Sequence, residues 1–365
     1  NLVLLDEQGE LLEGLYLATR GRPIEVLGEG LVRLQARFGS RLMVLGVGVT
    51  GSGRHLAAGL LGADLVRNEI TCQLRGALAV DPAVDTILEI GGQDSKYVQV
   101  RDGRIADFVM NKICAAGTGS FLEEQAEHLG LPIVGEFSRQ AARSRQPAEL
   151  GCQCTVFMHS EVVAAQRRGG QLPDLCAGLA YSVARNYLER VVASRPVGQH
   201  VLFQGGVANN PAVVAAFSQL LARPVRVHPH AGLSGAIGAA LLVAGEAPAR
   251  SRFRGLGACR DHEIRTFECR ACANRCQVSQ IRIEGQQVHF GDACERYASR
   301  VVTPAGEAGP TAPDFLVRWA ELESQYFAPP TALRGRIGLP RASAYLDQLP
   351  FWSVFFARLG YELVP

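Results

Sequence analysis

The 365-residue sequence lacks a charge excess of either sign and lacks any long apolar segment. Its 37 basic and 35 acidic residues leave a formal net charge of +2, so neither a nucleic acid nor a strongly basic protein is predicted as a partner. The longest nearly apolar run, residues 233–245, is shorter than the roughly 18 to 20 residues that a membrane-spanning helix needs. We therefore expect no nucleic-acid partner and no membrane partner.

Lysine and cysteine are both scarce. Ten cysteines are too few for a disulfide-stabilised scaffold of this length, which favours a reducing compartment and predicts a cytoplasmic protein. Arginine is plentiful, but the only lysines are Lys96 and Lys112. Because a compact ammonium that contacts phosphate is not freely replaced by a planar guanidinium, Lys96 is a candidate phosphate ligand. Lys112 has two equal interpretations, a contact with phosphate or a cluster loop and an ordinary place on the surface.

Strand-like runs alternate with helical periodicity up to about residue 245, which predicts an α/β domain. Residues 2–18 have the pattern of a hairpin, and residues 26–38 have helical spacing. Three further runs each end in a turn of small residues, and turns of this kind place backbone amides where α/β folds bind ligands. These runs are residues 43–49, 86–90 and 201–203, and their turns begin at Thr50, Gly91 and Gly205.

Composition divides the chain into three predicted parts. Residues 1–247 carry the α/β pattern, and residues 248–313 form a connector that contains five of the ten cysteines. Residues 314–365 begin a new α/β domain. The helix predicted in this part has four apolar residues on one face, which are predicted to form a core: Phe351, Phe355, Phe356 and Leu359. The sequence opens without Met and stops before this last domain is complete, so we interpret both ends as cut edges.

A small-residue loop leads from Cys114 into a helix whose predicted capping box is Ser120 with Glu123 and whose predicted stop is Gly130. Cys114 therefore lies just before a helix N-terminus, where free N–H groups favour a thiolate or a negatively charged cluster. A second pair, Cys152 and Cys154, follows. Isolated cysteines are as often small buried apolar residues as ligands, so the residues alone leave both interpretations open.

Four motifs occur in an informative order: IGGQDSK at residues 90–96, CAAGTGSF at 114–121, CTVF at 154–157 and QGGVANN at 204–210. Together they resemble the ATP-dependent activators of 2-hydroxyacyl-CoA dehydratases and the related benzoyl-CoA reductase ATPase subunits. The resemblance covers about residues 1–245. It implies an actin/hexokinase-like (ribonuclease H-like) ATPase fold in two halves, followed by the Cys-rich connector and the start of a second α/β domain.

The resemblance also implies a homodimer that shares one [4Fe–4S] cluster. Two cysteines per chain supply half of the four thiolates that such a cluster needs, and a twofold axis supplies the rest. By motif, Cys114 and Cys154 are the ligands. Cys152 is an extra thiol, so the choice between Cys152 and Cys154 stays open; Cys154 is favoured because Thr-Val-Phe follows it directly.

The same resemblance implies a site for ATP or ADP with Mg²⁺. Gly91 and Gly92 let the backbone approach phosphate, and Gln93 and Asp94 are candidates for orienting water or Mg²⁺. Glu89 stands where a close relative more often has Asp. The residues expected to contact the cofactor also include Lys96, Gly205, Gly206 and Asn209, and Asn210 with Pro211 is predicted to begin the following helix.

Two further expectations concern the nucleotide site. Residues 230–236 resemble the connection that lets the two halves pivot, although packing of small residues explains them equally well. The family's first phosphate turn is absent from the residues given. We therefore expect only part of the phosphate cradle, with weak ATPase activity.

The connector contains a second cysteine group, with the spacing Cys-x2-Cys-x3-Cys in Cys269, Cys272 and Cys276, followed by Cys294. Four thiolates in one short segment predict a metal site. Zn²⁺ is the usual occupant of such a pattern. Because the adjoining domain resembles an iron–sulfur ATPase, an Fe–S cluster is an equal alternative.

The favoured function is an ATPase that donates a low-potential electron to an Fe–S dehydratase-like or reductase-like partner. Ferredoxin or flavodoxin is the expected electron donor. The alternatives are a small-molecule kinase of the same fold, in which the cysteines only pack, and a non-catalytic metal-binding scaffold. A kinase would contain no iron when purified without oxygen, and a scaffold would bind no nucleotide.

Overall fold

The structure, a computed structural model, forms two compact units, Asn1–Val302 and Thr303–Pro365. The residues that it describes are 1–19, 21–111, 117–152, 155–259, 263–283, 286–294, 296–297, 318–319, 321, 324–325, 330, 332–339 and 344–364. The predicted domain boundaries, 247/248 and 313/314, stay predictions.

The first half of unit 1 begins with the expected hairpin, in which Leu2 lies opposite Leu15. A short parallel strand pair follows, and the helices between the strands bury an apolar core that includes Leu31, Leu56 and Leu60. The elements are β1 (Leu2–Leu5), β2 (Leu11–Leu15), α1 (Pro23–Phe38), β3 (Gly48–Val49), α2 (Arg54–Leu61), β4 (Leu65–Val66) and α3 (Glu69–Val80).

The second half is built on a five-stranded sheet with the order β7-β6-β5-β8-β9. Every residue of β5 is buried; β5 pairs parallel with β8 and antiparallel with β6. A near-continuous apolar strand is typical of a sheet covered on both faces. The strands are β5 (Thr86–Ile90), β6 (Ser95–Arg101), β7 (Arg104–Met110), β8 (Val201–Gln204) and β9 (Arg226–Val227).

Helices cover this sheet, and together they form the largest apolar core among the described residues, with Phe121, Tyr187, Phe203 and Phe217 fully buried. A five-residue π-helical turn, Leu188–Val192, continues α7. These helices are α4 (Gly119–His128), α5 (Glu136–Ala141), α6 (Thr155–Arg167), α7 (Leu172–Tyr187) and α8 (Pro211–Leu220). Helix α3 also packs on the sheet, through Ile70, Leu74 and Ala77. Helix α9 (Ser234–Glu246) instead contacts α3 and the strands β1, β3 and β4 of the first half.

Helices α3 and α9 pack closely against each other through small residues. A Cβ atom at Gly76 would lie 2.5 Å from the Ser234 carbonyl oxygen, and one at Gly238 would collide with the Cys72 carbonyl oxygen. Gly238 therefore permits an approach of the two backbones that an alanine would prevent.

Three local predictions need a correction. Within 43–49 only Gly48–Val49 is a strand, and Met43 and Leu45 are exposed. The hydrogen bonds of Val47 go to the Asp64–Leu65 corner rather than to a strand. The cap residue of α4 is Thr118, and no side chain caps this helix, so the predicted capping box at Ser120 is wrong.

Two other predicted helix ends are confirmed. Asn210 caps α8 by accepting a hydrogen bond from the Ala212 N–H at 3.1 Å, with Pro211 as its first residue. Gly130 has a φ of 70° and lies just after the end of α4.

The connector belongs to unit 1 as far as Val302 and forms an antiparallel three-stranded sheet in the order β10-β11-β12. Its middle strand contributes Ile281 to the core of the first half, alongside Leu56 and Leu60. The strands are β10 (Glu263–Glu268), β11 (Gln277–Ile283) and β12 (Gln286–Phe290).

Unit 2 contains one parallel βαβ element: β13 (Gly335–Gly338), α10 (Ala344–Arg358) and β14 (Tyr361–Val364). The prediction that its aromatic residues form a core is wrong for Phe351 and Phe355, which are 60% and 43% exposed; Leu359 is also exposed. Within the described part of unit 2, α10 is the helix next to this two-stranded sheet, and one helix can cover only one face of a sheet. Within the described ranges of the chain, every helix is too short or too polar to span a bilayer.

Candidate nucleotide site

A cavity of about 490 Å³ lies between the two halves of unit 1. The three predicted small-residue turns meet there: Thr50 to Ser52 after β3, Gly91 and Gly92 after β5, and Gly205 and Gly206 after β8. The β5 turn is closed by a hydrogen bond from the Gly91 N–H to the Asp94 carbonyl at 2.9 Å. The sequence pattern therefore identified the main walls of this cavity.

The charged centre of the cavity is formed by Lys96, Glu89 and Asp94. Glu89 and Lys96 face each other across β5 and β6. The Lys96 ammonium lies 3.0 Å from a carboxylate oxygen of Glu89 and 3.0 Å from one of Asp94. Glu89 and Lys96 are buried, whereas the Asp94 side chain is 48% exposed. One cation thus joins a buried acid to an accessible acid.

Burial raises the pKa of Glu89 to about 7, although the charge of Lys96 acts in the opposite direction. Burial also disfavours the charged form of Lys96, but the charges of Glu89 and Asp94 outweigh it and raise the lysine pKa. Lys96 is therefore a permanent cation near neutral pH, whereas Glu89 changes its protonation in that range.

Two polar residues of the cavity were not predicted. Glu69 is the first residue of α3, and its sequence context indicates only a helix start after Asn68, which caps α3. Gln73, one turn later, accepts a hydrogen bond from the Ser234 hydroxyl at 2.7 Å. The Gln204 amide donates to the Gln73 carbonyl at 3.2 Å. This network joins α3 to β8 and α9, and only their tertiary proximity reveals it.

The turn after β8 is held by a hydrogen bond from the Gly205 N–H to the Ala231 carbonyl at 2.9 Å. Tyr16 from the hairpin lies against Gly206 and Gly232. All five of these residues line the cavity.

The predicted nucleotide residues divide into two groups. Gly91, Gly92, Asp94, Lys96, Gly205 and Gly206 line the cavity. Gln93 and Asn209 are exposed and do not line it, so their roles stay predictions.

The helix that follows Cys114 is hydrogen-bonded directly to the turn after β5. The Gly119 N–H donates to the Gly91 carbonyl at 2.8 Å, and the Ser120 N–H donates to the Gly92 carbonyl at 2.8 Å. These N–H groups belong to the first turn of α4, where no intrahelical acceptor exists. The wall of the cavity therefore supplies their acceptors.

The end of α7 contacts the same region from the other side. The Tyr187 hydroxyl donates to the Lys96 carbonyl at 2.6 Å. The adjacent Asn186 amide donates to the Cys152 carbonyl at 3.1 Å. Gly117 also approaches Asn186 and Tyr187, because a Cβ there would lie 3.6 Å from each. Two successive residues of α7 thus link β6 to both cysteine segments.

Cys114, Cys154 and Lys112 lie outside the described residues. Cys152 is described, and its thiol donates a hydrogen bond to Glu189 Oε2 at 2.9 Å. This hydrogen bond raises the pKa of the Cys152 thiol.

The cysteines of the connector are all described and all free of disulfides. Among the described residues, no three His, Cys, Asp or Glu side chains are gathered in an arrangement that could hold a metal ion. The predicted four-cysteine metal site therefore stays a prediction.

Comparisons with known proteins agree with this geometry. A sequence profile of the BadF/BadG/BcrA/BcrD ATPase family matches residues 2–243. The chain is 37% identical over 193 residues to the (R)-2-hydroxyglutaryl-CoA dehydratase activating ATPase of Acidaminococcus fermentans. The aligned region covers 53% of this chain and 72% of that protein.

Two solved structures are also similar. One is the activator of the 2-hydroxyisocaproyl-CoA dehydratase from Clostridium difficile with bound ADPNP, with a TM-score of 0.60, 31% identity and coverage of 67% of this chain and 90% of that one. The other is component A of the Acidaminococcus fermentans (R)-2-hydroxyglutaryl-CoA dehydratase, with a TM-score of 0.59, 30% identity and coverage of 67% and 93%.

These similarities confirm the predicted actin/hexokinase-like fold of the first 245 or so residues. With the profile spanning most of the chain and three glycine-containing turns meeting at one cavity, the chain belongs to the BadF/BadG/BcrA/BcrD ATPase family.

Proposed function

We propose that this protein is an ATP-driven electron donor that activates a 2-hydroxyacyl-CoA dehydratase-type or related reductase-type Fe–S partner. Nucleotide binding and hydrolysis in the cavity change the position of the cysteine segments, and a low-potential electron passes to the partner. Reduced ferredoxin or flavodoxin resupplies the electron. ATP supplies the conformational work and donates no phosphate to the partner's substrate.

The cavity fits a nucleotide triphosphate with Mg²⁺. Its volume of about 490 Å³ is in the range of small-molecule sites, and Lys96 supplies the positive charge that phosphate needs. Mg²⁺ usually takes one or two carboxylates together with phosphate oxygens and water. The accessible carboxylate of Asp94 suits that role, and a complete set of protein ligands is not required.

Each wall of the cavity has a proposed task. Gly91 and Gly92 let the terminal phosphates approach the backbone, and Glu89 helps to position the attacking water. Gly205 and Gly206 support the adenosine. Gln93 and Asn209 are exposed next to these turns, and they take part if a nucleotide draws their side chains inward.

The observation that carries the proposal is the pair of hydrogen bonds from the first N–H groups of α4 to the Gly91 and Gly92 carbonyls. The same two peptide units face the cavity on one side and hold the helix after Cys114 on the other. A change in the phosphates therefore reaches the start of α4 without any intermediate element. In a kinase with packing cysteines, this connection would have no task.

A second connection supports the same conclusion. The side-chain ammonium of Lys96 contacts the carboxylates of Glu89 and Asp94. Its backbone carbonyl accepts a hydrogen bond from the Tyr187 hydroxyl. Asn186, next along α7, holds the segment before Cys154. The π-helical turn that follows Tyr187 is a feature often found at functional sites.

The one-electron carrier would be a [4Fe–4S] cluster held by Cys114 and Cys154 from each of two copies of the chain. The thiol of Cys152 is already engaged by Glu189, and we assign the ligand role to Cys154. Cys152 and Asn186 instead fix the backbone that enters the ligand segment.

The test is the substitution Tyr187→Phe, which removes the hydroxyl that bonds to Lys96 while keeping the buried ring. ATP hydrolysis is expected to continue within about threefold of the wild-type rate, because no group of the cavity is lost. ATP-dependent electron delivery to an acceptor protein is expected to fall about tenfold or more. Both rates are measured anaerobically on the same preparation.

Tyr181→Phe is the matched control, since Tyr181 is on the same helix but its hydroxyl contacts Gln219. Both rates should be unchanged in this variant. Equal loss of hydrolysis and electron delivery in Tyr187→Phe would argue against a coupling role. Phosphate transfer to a small molecule, without iron in the protein, would establish the kinase instead.

A further inference from the structure

Three of the four connector cysteines lie in one compact loop. We call residues 269–276, which join β10 to β11, the knuckle loop. The Cys269 N–H donates to the Cys276 carbonyl at 2.8 Å, which fixes the first and last cysteines at the base of the loop. Inside the loop, the Arg275 N–H lies 3.4 Å from the Cys272 carbonyl, and Arg275 has a φ of 44°. The loop is therefore a tight turn with cysteines at its base and in its middle.

The fourth cysteine is brought to the same end of the sheet by the strand order. Strand β12 ends at Phe290, which pairs with Ser279 near the start of β11. At Gly291 the chain passes close to this strand, and a Cβ there would lie 2.6 Å from the Gln277 carbonyl oxygen. Cys294 follows three residues later. The return of the chain after β12 therefore brings it past the base of the knuckle loop three residues before Cys294, although the four thiols are not gathered in a metal-binding arrangement in this structure.

Among its described side chains, the sheet has little core of its own. Nearly all of β10 is exposed. Among the described side chains of the middle strand, the fully buried apolar ones are Val278 and Ile281, and Ile281 packs against Leu56 and Leu60 of α2. Small units of this kind are usually held by disulfides or a metal ion. No described cysteine forms a disulfide.

The ligand chemistry selects a thiophilic metal. Four thiolates without a carboxylate or imidazole partner suit Zn²⁺ or an Fe–S cluster, and either bound centre carries a net negative charge. Exposed arginines in and beside the loop, Arg270, Arg275 and Arg296, offset that charge. Carboxylate-preferring ions such as Mg²⁺ and Ca²⁺ do not fit this set.

We propose that the four connector cysteines bind one thiolate-ligated metal centre, and that this centre fastens the sheet β10–β12 onto α2. Cys269 is buried and Cys276 half-buried, whereas Cys272 and Cys294 are exposed. Metal binding draws the two exposed thiols onto the buried base of the loop. Because α2 follows the Thr50 to Ser52 wall of the cavity, the centre also stabilises that wall. The proposal does not depend on the proposed electron transfer.

The first measurement is the metal content of the full chain carrying Cys114→Ser and Cys154→Ser, which removes iron held at the other predicted site. About one zinc, or about four iron with four sulfide, is expected per chain, and the two results distinguish the metals. Adding Cys272→Ser or Cys294→Ser should lower that content at least about fivefold. Cys259→Ala, a buried cysteine in the same connector, should leave it unchanged.

The second measurement leaves the four connector cysteines unchanged, so it does not depend on how well the Cys272 and Cys294 variants fold. In the protein without Cys114 and Cys154, alkylation of Cys272 and Cys294 is followed by mass spectrometry before and after a chelator is added. Both thiols should react at least about tenfold faster once the metal is removed. Less than about 0.2 metal per chain, or alkylation of both thiols that a chelator does not alter, would overturn the proposal.

Discussion

Glu89 is a carboxyl group whose protonation depends on its surroundings. It is buried in β5 and, among the described residues, forms its ion pair with Lys96, which also contacts Asp94. Burial raises its pKa to about 7 from the 4.5 of a free side chain. The fully ionised form therefore exists only above neutral pH, and a water-positioning role in the ATPase reaction requires that form.

ATP hydrolysis is expected to rise with pH through about 7 in the wild-type protein, because Glu89 loses its proton in this range. Glu89→Gln keeps the size of the side chain but cannot ionise. It should lower the rate about tenfold or more and remove the rise near pH 7. The measurement is the ATPase rate between about pH 5.5 and about pH 9.

Asp94→Asn provides the comparison, because Asp94 also contacts Lys96 but is accessible to solvent. This variant should hydrolyse ATP more slowly and still show the rise near pH 7. A rise that persists unchanged in Glu89→Gln would assign the titration to another group.

At the scale of elements, the contact between α3 and α9 holds the two halves of unit 1 at the cavity. The helices approach through Gly76 and Gly238, and their polar contact is the hydrogen bond from Ser234 to Gln73. Both Gln73 and Gly235 line the cavity. A change in the separation of these helices therefore changes the shape of the nucleotide site.

Gly238→Ala should destabilise the protein by about 2 to 4 kcal/mol, because its methyl group collides with the Cys72 carbonyl in a packed interface. ATP affinity should fall as well. Gly245→Ala is the matched control on the same helix, where an added Cβ meets nothing within 4 Å, and it should change stability by at most about 1 kcal/mol. Urea unfolding measures both. Equal midpoints for the two variants would contradict the close-packed interface.

The elements that the sequence could predict are those specified by local chemistry. The hairpin, the buried strands β5 and β8 and the Asn210 cap each have a short-range cause, and the structure contains all of them. The run at 43–47 is apolar, but the structure gives it no partner strand among the described residues. The start of α4 is capped by carbonyls of another turn, a long-range contact that no local motif encodes.

At the scale of the whole molecule, the motifs predicted which turns meet. They did not predict the hydrogen bonds that join the cavity wall to the cysteine segments. The motifs singled out Gly91, Gly92 and Lys96 as candidate site residues, and all three line the cavity. Asn186 and Tyr187 were not singled out, because an Asn-Tyr pair inside an apolar helix has no distinctive pattern. Their role depends on the packing of α7 between β6 and two loops. Glu69 was missed for a related reason, since it resembles an ordinary helix start.

The most direct test of the central claim is the iron content of the anaerobically purified protein, together with its electron paramagnetic resonance spectrum in ADP and in ATP. The account predicts that Cys154→Ser removes about two iron per chain relative to wild type, half of a cluster shared by two copies. It also predicts that the lost signal is one that differs between ADP and ATP. Unchanged iron content in Cys154→Ser, or a wild-type spectrum that is identical with the two nucleotides, would contradict it.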